Sequence, residues 1–365
     1  MLANVTDFYA GGNTARGFVG HYDSALQGIS SIYLLKNGLG AGKSDFLRFI
    51  GHQFAKRGTP IWFLHSASVS GGLDGVIIPE AQIAIIDQSG PQRIDIGQTD
   101  AKVRTIDFGI ACEASALRIQ QPIIERLRQR VQETYELAYA GFAEALRVHD
   151  DWESIFITNM NVHAANALTE ELVERLFGGL CEARQARVDH RFLGAATPLG
   201  PIDFVPGLTA GLKRYLIKGR PGSGKSTLLK RLAREATDRG YDVEIYHCGF
   251  EPNSLDMVIV RSLGFAIFDS TAPHAYNPER QSDEIIDMYA ACIAPATDET
   301  YADIIQELQD SYSTLMKQST DHLIQAKNHY DDLVQIYARA TDFIAIDLLK
   351  KELEREVLRD ATRFV

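Results

Sequence analysis

The sequence predicts an α/β fold written twice: two tandem domains, each a parallel sheet flanked by helices and extended by a long helical arm, related as a pseudo-two-fold internal duplication. Three observations predict it. Sliding the 365-residue chain against itself by 182 positions lays residues 33–91 over 215–273 without a gap. Each copy holds a glycine-rich loop between a short apolar run and a helix-forming run. Each copy then runs into an apolar seam with alternating steps of three and four, the signature of a helix packed along another helix.

The pairs retained between the copies include Lys36/Lys218, Gly40/Gly222, Gly42/Gly224, Lys43/Lys225, Ser44/Ser226, His65/His247, Asp74/Asp256, Asp87/Asp269 and Pro91/Pro273. With small slips the match extends outward. Thr14 and Gly17 correspond to Thr197 and Gly200, Asp107 and Cys112 to Asp287 and Cys292, and Asp150-Asp151 to Asp331-Asp332. A period this long is a duplicated domain rather than a solenoid repeat. The copies are read as residues 1–182 and 183–365, joined near 178–190, where GGLCEARQARVDH interrupts the helical pattern.

Within the second copy, RYLIKG at 214–219 is short and apolar, as a buried strand requires. The run beginning at Ser226 starts a helix, and Arg239-Gly240 ends it with a cation in the last turn and a glycine cap. VEIYHC at 243–248 and FAIFD at 265–269 read as the next strands, and helical crossovers between strands imply a parallel sheet. The arm of copy one places Ile124, Leu127, Val131, Tyr135, Ala138, Phe142 and Ala145 on one seam. That of copy two places Ile305, Leu308, Tyr312, Leu315, Ser319, His322, Ala326, His329 and Leu333.

Gly219, Arg220, Pro221, Gly222, Ser223, Gly224, Lys225, Ser226 and Thr227 spell a complete Walker A motif, GxxxxGK[ST], in the strand–loop–helix context that gives the pattern meaning. Glycines let backbone N–H groups close around phosphate oxygens, and the helix N-terminus adds partial positive charge. Lys225 is expected at the β- and γ-phosphates of ATP and Ser226 on Mg²⁺. Asp269, ending the run FAIF, is the Walker B carboxylate expected to complete the metal site. Asp87 ends IAII at the same distance from Lys43. The continuations DQSGPQ and DSTAPH place no glutamate after either aspartate. With one strand read between the two motifs, this is closer to the kinase and GTPase branch of P-loop proteins than to ATP-driven motors. No NKxD guanine-reading motif is present.

His247 and Asp256 join Lys225 and Asp269 as catalytic candidates because both copies retain their counterparts. A satisfied strand-end histidine and a capping aspartate are the structural alternatives. His274 is Gln92 in copy one, so any role it has belongs to the second site. In copy one the nucleotide loop is Gly38, Leu39, Gly40, Ala41, Gly42, Lys43 and Ser44, with Ser44 and Asp87 as its metal candidates. Asn37 stands where the first glycine belongs, a residue that tolerates left-handed backbone. Asp45 replaces Thr227 and puts an anion beside the cradle, which weakens triphosphate binding. Site two is expected to dominate.

The net charge of −11 disfavours nucleic acid or anionic lipid as a partner. No run of about 18 apolar residues appears, and the first residues lack a signal-peptide pattern. The four cysteines form no CxxC, which together with the rest reads as a cytoplasmic protein with reduced thiols.

With GLGAGKS, GRPGSGKST and FDSTAPH in place, the chain resembles an uncharacterised family of bacterial ATPases built from two fused P-loop NTPase domains. The resemblance covers nearly the whole length and implies ATP at both loops. The layout is also similar to nucleotide kinases, in which a helical lid follows the core. Three functions stay open: Mg-dependent ATP hydrolysis or phosphoryl transfer at the second site, an ATP-dependent switch whose arms bind a protein partner or a second copy, and a small-molecule or nucleotide kinase.

Overall fold

The computed structural model describes residues 5–362. In chain order the first half gives β1 (Val5–Phe8), β2 (Gly11–Thr14), β3 (Gly17–Gly20), α1 (Tyr22–Ala25), β4 (Ser31–Lys36), α2 (Lys43–Ala55), β5 (Ile61–His65), β6 (Leu73–Ile78), β7 (Ile83–Asp87), β8 (Lys102–Asp107), α3 (Ala114–Thr158) and α4 (Val162–Phe177). The second half gives β9 (Val188–Phe192), β10 (Gly194–Thr197), β11 (Gly200–Asp203), α5 (Val205–Leu208), β12 (Lys213–Lys218), α6 (Lys225–Asp238), β13 (Val243–His247), β14 (Leu255–Val260), β15 (Phe265–Asp269) and β16 (Glu284–Asp287). It ends in α7 (Met288–Cys292), α8 (Thr297–Thr300), α9 (Ala302–Arg339) and α10 (Phe343–Ala361).

The architecture is mixed α/β. One six-stranded sheet has the order β1-β5-β6-β7-β4-β8, the other β9-β13-β14-β15-β12-β16, so each strand sits where its counterpart does. The expected all-parallel sheet is corrected: β6 runs antiparallel to β5 and β7, and β14 to β13 and β15. The reason is connection length. Residues 66–72 and 248–254 are too few for a helical crossover, so the chain returns antiparallel. Two strands therefore lie in sequence between the Walker motifs, where one was expected. In space none does, because β12 pairs directly with β15.

A third, antiparallel sheet of order β11-β10-β2-β3 joins the halves. The retained threonines serve it: Thr14 Oγ1 donates to Gly17 O at 2.8 Å and Thr197 Oγ1 to Gly200 O at 2.7 Å, closing equivalent turns. Asn13, buried, donates to Ala67 O and Ala196 O and accepts from the Tyr139 hydroxyl, tying sheet and arm together.

Side-chain alternation sets the layers. Ile32 and Leu34 of β4 face inward with Leu216, Met257, Ala266 and Phe268, so the two large sheets share one core. Tyr33 and Leu35 face outward onto α2, and Tyr215 and Ile217 onto α6. Each outer layer is completed by a helix from the opposite half. Ile346, Leu353, Val357 and Ala361 of α10 pack on the first sheet, where Tyr33 donates its hydroxyl to Asp360 at 2.7 Å. Leu172, Val173 and Phe177 of α4 pack on the second, with Arg175 paired to Glu284 at 2.6 Å.

The arms α3 and α9 lie along each other. Ile124, Val131, Tyr135, Ala138 and Phe142 bury against Leu323, Ala326 and Leu333, so each seam covers the other. No helix among the described residues is long and apolar enough to cross a membrane.

Candidate functional site

Both glycine loops join an interior strand, second from the edge of its sheet, to a helix whose N-terminus lies at the carboxyl edge of that sheet, β12 to α6 and β4 to α2. In the second loop Gly222 and Gly224 take φ of +74° and +89°, which side chains with a Cβ rarely adopt. Lys225 Nζ donates to Arg220 O at 2.9 Å and Gly219 O at 3.4 Å, and stands 3.6 Å from Asp269 Oδ2. Asp269 Oδ1 accepts from the Thr271 N–H and hydroxyl. Ser226 Oγ accepts from Leu255 N at 3.0 Å, pinning the start of α6 to β14. The structure thus gathers Lys225, Ser226, Thr227, Asp256 and Asp269 around one cavity of about 630 Å³, within the size of small-ligand sites. The hydroxyl of Ser226 and the carboxylate of Asp269 are oxygen donors of the kind Mg²⁺ takes.

Asp256 lies under this floor and is only 9% exposed. Burial, with the Asp269 charge adding to it, pushes its carboxyl up to about 6. Its counterpart Asp74 accepts from the Tyr22 hydroxyl at 2.7 Å and is raised to about 7, again mainly by burial. His274 lines the cavity with Nδ1 held 2.7 Å from Asp203 Oδ2.

His247 is not brought to the loop. Its Nδ1 contacts Pro252 O at 2.6 Å and its Nε2 meets His190 Nδ1 at 2.9 Å, beside a separate depression of about 470 Å³. His65 likewise faces the neighbouring strand, with Nε2 2.7 Å from Asp7 Oδ1. Both retained histidines therefore fasten an edge strand, β9 or β1, to its sheet.

The first loop is built the same way and covered differently. Lys43, 5% exposed, donates to Asn37 O at 2.5 Å and Gly38 O at 2.9 Å, with Asp87 Oδ1 at 3.7 Å. Burial lowers the pKa of Lys43, and the Asp87 charge opposes this. Asn37 adopts φ +55° and donates to Asp107 Oδ1, so the left-handed turn forms without glycine. Ser44 Oγ accepts from Leu73 N as Ser226 does from Leu255. A Cβ at Gly40 would meet Val334 and Ala338 of α9 at 3.1 and 3.4 Å, and one at Gly42 would meet Lys350 Nζ at 3.2 Å. Leu39 packs into the core between the arms, and Ala41 is buried under α2.

The second loop has an arm of its own, which sequence reasoning missed. The Glu153 carbonyl of α3 occupies the space a Cβ at Gly222 would need. His149, Asp150 and Glu153 of the same helix line the cavity opposite Lys225. Their ligand-capable atoms lie within 4.8 Å of one another. His149 Nδ1 is buried with no hydrogen-bond partner, 3.9 Å from Glu153 Oε1. Its pKa is lowered chiefly by burial. The only trace of this in the sequence was the match of Asp150-Asp151 to Asp331-Asp332.

Comparisons of the chain with protein-family models, with curated proteins and with solved structures find no match.

Proposed function

We propose that the chain is a duplicated P-loop nucleoside triphosphatase in which the second site binds ATP with Mg²⁺ and hydrolyses it, while the first loop is structural. The observation that carries this reading is the placement of Lys225, at the start of the helix that follows β12, 3.6 Å from Asp269 at the end of the adjacent parallel strand β15, at the floor of a cavity with room above it. In this reading the loop N–H groups and the α6 N-terminus hold the phosphates, and Lys225 leaves its loop carbonyls for the β- and γ-oxygens. Ser226 and Asp269 hold the metal, directly or through water. The metal offsets charge as the γ-phosphoryl transfers.

The first site reads as structural because Lys43 is more deeply buried than Lys225 and Asp45 sets an anion beside the loop where the second has Thr227. The equal strand orders of the two sheets support descent from one duplicated domain. The partner-binding reading is weakened by the arms, whose seams are buried on each other.

The test is Asp269→Asn. ATP affinity should stay within a few-fold of the parent while phosphate release falls at least about tenfold, or about 1.4 kcal/mol in barrier height. Parental turnover would remove Asp269 from the metal site.

A further inference from the structure

Hydrolysis needs a group that accepts the proton of the attacking water, and neither strand-end aspartate is followed by a glutamate in the sequence. The cavity wall shows which carboxylates are available. Of the five that line it, Asp269 is engaged by Thr271 and faces Lys225. Asp256 is buried beneath the floor. Glu251 is held by the Arg16 guanidinium, with Nε at 2.9 and 3.1 Å from its two oxygens. Asp150 and Glu153 remain, both on α3.

Glu153 is the better placed of the two. Its main chain touches the loop at Gly222, whereas Asp150 is exposed. Its carboxylate, about a third exposed, lies beside the His149 imidazole, which the Trp152, Phe250 and Tyr312 rings pack around and hold in place. The matching stretch of the other arm offers no such group. With the offset of Asp150 to Asp331, the counterpart of Glu153 is Val334. The counterpart of His149 is Tyr330, whose hydroxyl is committed to Ser89 O.

We infer that Glu153, carried by the arm of the opposite half, is the water-activating residue of the second site. The step rests on the ATPase reading above. The water oxygen attacks the γ-phosphorus, and the bond from that phosphorus to the β,γ-bridging oxygen breaks with its electron pair leaving on ADP. The water proton passes to the Glu153 carboxylate and then to solvent. Each site in this arrangement is closed by the opposite half's arm, and only the second receives a base.

The experiment measures Mg-ATP affinity and steady-state phosphate release on full-length parent, Glu153→Gln, Glu153→Asp and Lys225→Ala. Glu153→Gln should keep KM within about threefold and lose about a hundredfold in kcat, as removal of a general base does. Glu153→Asp, which withdraws the carboxylate by one methylene, should fall between the two. Parental kcat in Glu153→Gln overturns the inference and leaves the ATPase reading standing if Lys225→Ala still abolishes turnover. Equal losses of affinity and rate in Glu153→Gln also overturn it, because the arm would then only hold nucleotide. If Glu153→Gln does not fold, an undiminished kcat in Glu153→Asp overturns it. A parent that binds no ATP, or binds it without turnover, overturns the ATPase reading and the inference together.

Discussion

Replacing Asp74 by asparagine should make the protein more stable, by an amount that is nil near pH 4 and grows as pH rises to about 7. Asp74 is largely buried beside the first loop and accepts the Tyr22 hydroxyl, a bond the isosteric amide oxygen can keep. Burial raises its carboxyl from 3.8 to about 7. At about 1.4 kcal/mol per tenfold in proton affinity, that is about 4 kcal/mol of penalty on the charged form. Residual solvent contact screens part of it, and the amide has its own desolvation cost, so the expected gain is about 1–3 kcal/mol. The sign follows from linkage. The folded carboxyl binds its proton more tightly than the unfolded one, so its contribution is full below about 4, declines as pH rises to about 7, and is level above. Urea unfolding at pH 4, 6 and 8 should therefore show Asp74→Asn equal to the parent at pH 4 and most advantaged at pH 8. A difference independent of pH, or an asparagine variant weaker at pH 8, would refute the reasoning.

Asp283 offers the opposite case. Its carboxylate and the Arg214 guanidinium are both sealed from solvent, and Arg214 together with the N–H groups of Arg280 and Glu279 holds the carboxyl well below its usual range. Asp283→Ala leaves the buried Arg214 cation with only the exposed Glu279 carboxylate, 3.7 Å away, and should cost about 3 kcal/mol at pH 7, by denaturant titration. The parent's share of that stability is full above about pH 4 and is lost as pH falls below it; a loss under 1 kcal/mol would contradict the pairing. At the crossing of the arms a Cβ on Gly141 would overlap Ser319 Oγ, so Gly141→Val should cost about 1–3 kcal/mol by overpacking. Adding Ser319→Gly should recover part of it in a double-mutant cycle, and strictly additive losses would show that the helices do not meet there.

The loop, the helix after it and the strand ending in Asp269 were legible because local chemistry dictates them: glycines with positive φ, a helix start, a short apolar run. The arms were legible for the same reason, since a seam of three-and-four steps can only be a packed helix. What was hidden depends on contacts distant in sequence. MVIV at 257–260 is apolar throughout and carries no sign of strand direction, so the antiparallel β14 escaped notice. GGNT and GAAT, in the sheet that joins the halves, lack the alternation that announces a strand and carry one branched residue each, Thr14 and Thr197. The exchange of α4 and α10 between sheets leaves no local mark, because an amphipathic helix reads the same whichever sheet it covers. Glu153 was missed on that account: its place over Gly222 follows from where the arm crosses. His247 and His65 drew attention by being retained, and their partners on β9 and β1 supply the structural alternative weighed at the outset.

The central claim is that the second loop, and not the first, holds the nucleotide. Calorimetric titration of Mg-ATP into the parent, Lys225→Ala and Lys43→Ala proteins tests it most directly. The parent should show one site, Lys225→Ala should lose it, and Lys43→Ala should keep affinity within a few-fold of the parent. Equal losses in the two variants, or a parent that takes up no ATP, would contradict it.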